Sequence, residues 1–198
     1  MKDEKLPPRI YLAGPEVFLP AAREIGAAKV ARCSAAGLVG LFPLDQELDV
    51  THLAPAEQAR AIALANEELM RSADGLIANL TPFRGVSMDC GTAFEAGFMR
   101  ALGRPVFGYT TSGEDYRVRT ERFRREVAAW SDGDRPANMI EDFGLAENLM
   151  IDIAMSETGL APLRSARGEM DIGDLLAFEA CLAAVAPLLL NRSPRSRT

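Results

Sequence analysis

Short apolar runs that stop at Gly or Pro alternate along this chain with segments long enough to be helices. That alternation restricts the fold more than any other feature. Arg9 to Ala13 (RIYLA) ends at Gly14-Pro15, and Leu38 to Phe42 (LVGLF) ends at Pro43. Gly75 to Leu80 (GLIANL) runs into a loop with Pro82 and Gly85, and Pro105 to Tyr109 (PVFGY) is a fourth run. Apolar runs bounded by breakers read as buried strands. Between them lie Ala21 to Ala36, Ala54 to Ser72 and Asp89 to Leu102, each of helix composition. Gly37 and Gly103 are placed to stop the first and third of these. The order β-α-β-α-β-α-β predicts a parallel sheet with helices on both faces and right-handed crossovers. Beyond Thr110 the pattern weakens. Arg117 to Trp130 reads as a charged helix, Ser131 to Arg135 as a polar loop and Ala146 to Met155 as a helix. Leu160 to Leu163 is a candidate fifth strand, and Asp174 to Leu190 a closing helix kinked at Pro187. The expectation is a three-layer α/β protein with a four- to five-stranded parallel sheet. One domain would cover residues 1–190, with NRSPRSRT (191–198) a disordered basic tail.

Composition removes several alternatives. With 198 residues and 48% apolar content, the chain can bury a core without disulfides or metals. A net charge of −6 argues against a nucleic-acid polymer as partner, since such binders need clustered Lys and Arg. The odd set Cys33, Cys90 and Cys181 reads as reduced thiols. A single histidine, His52, argues against a histidine triad or a zinc site. The N-terminal stretch carries no apolar signal core. The longest apolar run, Leu182 to Leu190, is too short to span a bilayer. A cytoplasmic protein with no membrane partner is expected. No metal and no organic cofactor is expected either, because neither ligand clusters nor a GxGxxG loop is present.

In open α/β sheets, ligands bind beyond the carboxyl ends of the strands. The segment leaving the third strand, ANLTPFRGVSMDCGTAFEAG, is the richest in chemistry. Asp89 opens the helix that follows, and Glu95 lies inside it among Gly91, Ala93, Ala96 and Gly97. Phe94 and Phe98, four residues apart, would mark the core-facing stripe and leave Glu95 about a quarter turn away. For an arbitrary helix, an Asp favoured by the helix dipole and a solvated Glu is the plainer reading. The strand-end location and the small neighbours point instead to a pocket. A carboxylate pair without His, Cys or metal suits reaction at an anomeric carbon.

Three blocks resemble the nucleoside 2-deoxyribosyltransferase family: IYLAGPEVF (Ile10–Phe18), ADGLIANLTPFRG with DCGTAFEAG (Ala73–Gly97), and GLAENLM (Gly144–Met150). The resemblance implies a flavodoxin-like fold and a double displacement. Glu95 would attack C1′ of a 2′-deoxynucleoside and hold the sugar covalently until a second base accepts it. Tyr11 would lie beside the nucleophile, and Asp89 would bind a sugar hydroxyl. Asn148 would complete the sugar site of a neighbouring subunit, which implies a homo-oligomer, dimer or higher. The partners implied are a nucleoside and a nucleobase, purines above all. At Asn79 the family often has an Asp that exchanges a proton with the base. An amide cannot do so at neutral pH, though it can hydrogen-bond a purine edge.

Other candidates follow from position. Gly14 lets backbone approach the sugar, and Phe18 and Phe83 either line a base pocket or pack. Asp45 or Glu47 could reach the base. Arg84 could hold an anion or pair within its loop. Cys90 reads as small-residue packing, His52 as loop decoration and Trp130 as cover for the core edge. Asp152 either orients Asn148 or is solvated. Three functions compete: deoxyribosyl transfer, hydrolysis of a deoxynucleoside or its 5′-monophosphate, and non-catalytic nucleotide binding. The acidic and apolar Pro15-Glu16-Val17-Phe18 disfavours the monophosphate.

Overall fold

The computed structural model describes residues 6–126, 140–165 and 171–191. Trp130, the loop at 131–135 and the tail beyond Asn191 lie outside them. The elements are β1 (Arg9–Ala13), α1 (Ala22–Ala35), β2 (Val39–Leu41), α2 (Pro55–Arg71), β3 (Gly75–Asn79) and α3 (Cys90–Ala101). They continue with β4 (Val106–Thr110), α4 (Tyr116–Glu126), α5 (Leu149–Ser156), β5 (Leu163–Arg164) and α6 (Leu175–Leu190). The five strands form one sheet in the order β2-β1-β3-β4-β5, every pair parallel.

The side-chain alternation of a strand decides what covers each face. Ile10, Leu12, Ile77, Phe107 and Tyr109 point to one side, into a cluster with Cys33 of α1 and Phe178, Cys181, Leu182 and Val185 of α6. Tyr11, Ala13, Leu76, Ala78 and Val106 point to the other, against Met70 of α2, Ala96 and Met99 of α3, and Met155 of α5. The chain runs outward from β1 to β2, then returns over β1 to β3. The strand order therefore reverses between β1 and β3, and the crevice at their carboxyl ends is the ligand position of such a sheet. Among the described residues no helix is long and apolar enough to cross a membrane.

Four expectations are corrected. On α3 the fully buried stripe is Thr92, Ala96 and Met99; Phe98 packs half-buried against that core as expected, and Phe94 does not. Phe94 is 59% exposed and tilts against Phe98, 6.0 Å between ring centres. The helix lies on the sheet through the face of Thr92, Ala96 and Met99, which turns the neighbouring Glu95 toward Tyr11. Cys90 is exposed instead of packed. Helix α5 starts at Leu149, not Ala146, because Asn148 is its N-cap and accepts from Met150 N at 3.0 Å. The edge strand β5 is Leu163–Arg164, so only Leu163 of the expected run pairs, opposite Tyr109. Pro162, just before it, has no N–H to give a ladder.

Candidate active site

Two loops frame the crevice. The first leaves β1 as a 3-10 turn, Pro15–Phe18, and the second joins β3 to α3. Tyr11 is fully buried in β1 with its hydroxyl directed at α3. There it donates to Glu95 Oε1 at 2.5 Å. Burial pushes the Glu95 carboxyl up to about 7 against the downward pull of that hydrogen bond, and the charges of Asp89 and Glu16 add to the rise. Burial, then the Glu95 charge, holds the Tyr11 phenol far above its ordinary range. Tyr11 is thus a permanent donor, and Glu95 titrates near neutrality.

Asp89 is the N-cap of α3, and its Oδ2 accepts from Thr92 N at 2.9 Å and Thr92 Oγ1 at 3.2 Å. The cap uses one carboxylate oxygen and sets the direction of the other. Phe18 and Phe83 stack at 5.4 Å and 11°, one ring from each loop. The Arg84 guanidinium lies over both rings, 4.8 and 4.5 Å from their centres. Arg84 has φ 57°, a left-handed conformation that costs an L residue free energy and concentrates at functional loops.

Packed beside Gly14 and Asn79 is a group that sequence reasoning missed. Glu16 is fully buried, and its Oε1 accepts from Asn79 Nδ2 at 2.8 Å, from Tyr109 OH at 3.0 Å and from Lys29 Nζ. Its Oε2 takes no donor among the described residues. Lys29, 2% exposed, also donates to Tyr109 OH at 2.8 Å and lies 5.0 Å from the Phe178 ring centre. The available signal was the spacing of α1: Ala22, Gly26, Lys29 and Cys33 are its buried positions, so a lysine occupies the apolar stripe. Asn79 is committed here as well. Nδ2 also donates to Ile172 O at 3.0 Å, and Oδ1 accepts from Thr81 N.

Gly14 is explained by space. Its φ of 164° is ordinary extended backbone. A Cβ there would lie 1.9 Å from Glu16 Oε2 and 3.0 Å from Asn79 Cβ. Since the other Glu16 oxygen is held by several donors, the carboxylate cannot swing aside. Gly14→Ala is expected to cost about 1–3 kcal/mol through overpacking, read as a lower denaturation midpoint in urea with an unchanged slope.

Asn148 spends Oδ1 on the α5 cap and donates Nδ2 to Glu141 Oε1 at 2.7 Å. Asp152 is buried and accepts from Ala146 N at 2.8 Å, so it is not merely solvated. Asp45, Glu47 and His52 are exposed on the loop before α2, with His52 Nδ1 3.8 Å from Asp49.

Residues 10–150 match the family model described as nucleoside 2-deoxyribosyltransferase. An uncharacterised protein of Schizosaccharomyces pombe, C191.05c, is 40% identical over 131 residues, which is 65% of this chain. That alignment spans 61% of the yeast protein's own length. A solved 2-deoxyribosyltransferase from Leishmania mexicana has 27% identity and a TM-score of 0.58, covering 91% of this chain and 98% of its own. A 2-deoxyribosyltransferase from Bacillus psychrosaccharolyticus has 24% identity and a TM-score of 0.45, over 54% of this chain and 74% of its own.

Proposed function

Because the chain belongs to the nucleoside 2-deoxyribosyltransferase family, we propose that it moves a 2-deoxyribosyl group between nucleobases through a covalent deoxyribosyl-Glu95. The observation that carries this reading is the 2.5 Å hydrogen bond from Tyr11 OH to Glu95 Oε1. It locks a largely desolvated carboxylate at the carboxyl end of β1, where the sheet order reverses. A nucleophile must be ionised, poorly hydrated and fixed in orientation. Burial supplies the second condition and Tyr11 the third, while ionisation follows pH through about 7.

In the first step a Glu95 oxygen bonds to C1′ and the C1′–N bond breaks, its electron pair leaving with the base. In the second, a ring nitrogen of a new base attacks C1′, the base gives up its N–H proton to water, and Glu95 departs as carboxylate. Tyr11 holds the oxygen that is not reacting. Asp89 binds a sugar hydroxyl through the oxygen left over from its cap. Phe18 and Phe83 give the base an aromatic surface beside Gly14. Asn79 is fully buried with its amide spent on Glu16, Ile172 and Thr81, so it does not present a hydrogen-bonding edge to the base. As an amide it has no proton to give, so the departing base is protonated by another group or by water. Glu16, from which the sequence disfavours a 5′-monophosphate, is buried and paired with Lys29, so its charge does not face a substrate phosphate.

Incubation with deoxyinosine and free adenine tests the reading. Deoxyadenosine is expected. Hypoxanthine without deoxyadenosine would make the protein a glycosidase, and nucleoside binding without reaction would make it a non-catalytic module.

Tyr11→Phe checks the locking hydrogen bond. A bond to a charged group contributes about 1.5–3 kcal/mol, so a fall in kcat/KM of roughly 10- to 100-fold is expected. The bond favours the ionised carboxylate, so its removal leaves desolvation less opposed. The acid limb of the pH profile should move upward from about 7.

Assembly follows from the same reading. Met150 and Ile153 on α5, 71% and 47% exposed, offer a second copy an apolar surface beside Asn148. Sedimentation is expected to give a dimer or larger. Mixing Glu95→Gln and Asn148→Ala proteins should then restore part of the activity that each lacks, since some sites combine an intact Glu95 with an intact Asn148.

A further inference from the structure

One buried carboxylate joins the loop that leads into α3 to the start of α5. Glu147 is 0% exposed. Its Oε1 accepts from Ser87 Oγ at 2.6 Å and Asn148 N at 3.0 Å. Its Oε2 accepts from Met88 N at 3.0 Å and the Arg119 guanidinium at 3.3 Å. Arg119, itself 2% exposed, donates to the carbonyls of Val86 at 3.0 Å, Glu114 at 2.7 Å and Ala146 at 2.7 Å. The pair therefore grips backbone on both sides of one seam, Val86 to Met88 and Ala146 to Asn148.

The placement of these contacts matters more than their number. Met88 N belongs to the residue before Asp89. Asn148 N belongs to the residue that caps α5. A buried ion pair is weak evidence for stability, because well-packed apolar side chains of similar volume often do as well. What four donors on one carboxylate add is geometry. The Asp89 side chain has only one oxygen clear of its cap, so that oxygen's direction follows the backbone at 88–89.

We propose that Glu147 is a positioning residue: together with Arg119 it sets the placement of Asp89 and Asn148 against the sugar, without itself touching substrate. This rests on the deoxyribosyl reading above. It holds whichever protomer's sugar Asn148 meets. Glu141 supports the same segment from the other side, accepting from Asn148 Nδ2 at 2.7 Å and Leu149 N at 3.0 Å.

The test compares kcat/KM on 2′-deoxyadenosine with that on 2′,3′-dideoxyadenosine and 2′,5′-dideoxyadenosine, each lacking one sugar hydroxyl. The readout is the preference for the intact sugar, in the wild type, Glu147→Gln and Ser87→Ala. A misplacement near 1 Å can cost about 10²-fold. Glu147→Gln is expected to cut the wild-type preference by about tenfold or more, with the loss falling on the intact sugar. Ser87→Ala removes one of the four donors to this carboxylate, a half-buried hydroxyl, and should cut it by roughly threefold or more. A merely structural role would lower activity on all three substrates in proportion and leave the preference unchanged, which overturns the proposal. If Glu147→Gln does not fold, Ser87→Ala decides alone, since it strands no buried charge. A wild type indifferent to both hydroxyls also overturns it, because nothing then remains to be positioned. A wild type that turns over no deoxynucleoside removes the deoxyribosyl reading and this proposal together. An active, hydroxyl-selective wild type with unaltered variants removes this proposal alone.

Discussion

Glu95→Gln should lose deoxyribosyl turnover by on the order of 10⁴-fold or more, as removal of a covalent nucleophile does, and become more stable at neutral pH. The two effects have one cause. Burial raises the Glu95 carboxyl from 4.5 to about 7, so the folded state holds this proton more tightly than the unfolded chain. Below pH 4.5 both states are protonated and the group costs nothing. Between 4.5 and 7 wild-type stability falls as pH rises. Above about 7 the full cost of the ionised, desolvated carboxylate is present, about 2–3 kcal/mol after allowance for partial exposure. Glutamine carries no such cost. Urea midpoints of variant and wild type should therefore agree near pH 4 and separate by pH 8, with the variant higher. Wild-type kcat/KM should rise through about 7 as the nucleophile ionises. A variant that kept turnover would remove the nucleophile assignment. Equal midpoints at pH 8 would mean that Glu95 is better hydrated than its surroundings indicate.

Lys29→Met should produce the largest loss of stability. Lys29 and Glu16 form an ion pair with side chains 3% and 1% exposed. Removing the cation leaves a buried carboxylate with only Asn79 and Tyr109 as donors. Breaking a buried pair from one side costs about 3–5 kcal/mol. For a chain of this size that lowers the thermal midpoint by about 10 °C. The double variant Glu16→Gln with Lys29→Met should recover most of the loss, because a neutral pair strands no charge. A single variant within 1 kcal/mol of wild type would show that the cluster holds water or relaxes open. The same variant should disturb the crevice, since Glu16 is the acceptor that orients Asn79.

Strands β1 to β4 were legible because each is a short apolar run bordered on one side by Gly or Pro, and β1, β3 and β4 match the expected runs to within a residue or two. Helix α3 was legible as a helix, yet its orientation was misread. Two phenylalanines four apart look like a core stripe, and the face that meets the sheet is instead made of Thr92, Ala96 and Met99. Of the two phenylalanines, Phe98 packs half-buried against the core and Phe94 is exposed, a difference that four-residue spacing alone does not report. Glu16 and Lys29 lie 13 residues apart, and Arg119 and Glu147 lie 28 apart. Neither spacing belongs to a local motif. Each side chain reads as an ordinary surface charge until the fold brings its partner to it.

The order of elements and the all-parallel sheet came from the sequence alone, because hydrophobic period and breaker residues are local properties of a chain. Tertiary structure alone decided that Asn79 is tied to a buried Glu16, and that one carboxylate holds the approaches to both Asp89 and Asn148. Those contacts depend on which faces of separate helices turn toward the sheet, and on charges that become tolerable inside a protein only when their partners arrive with them.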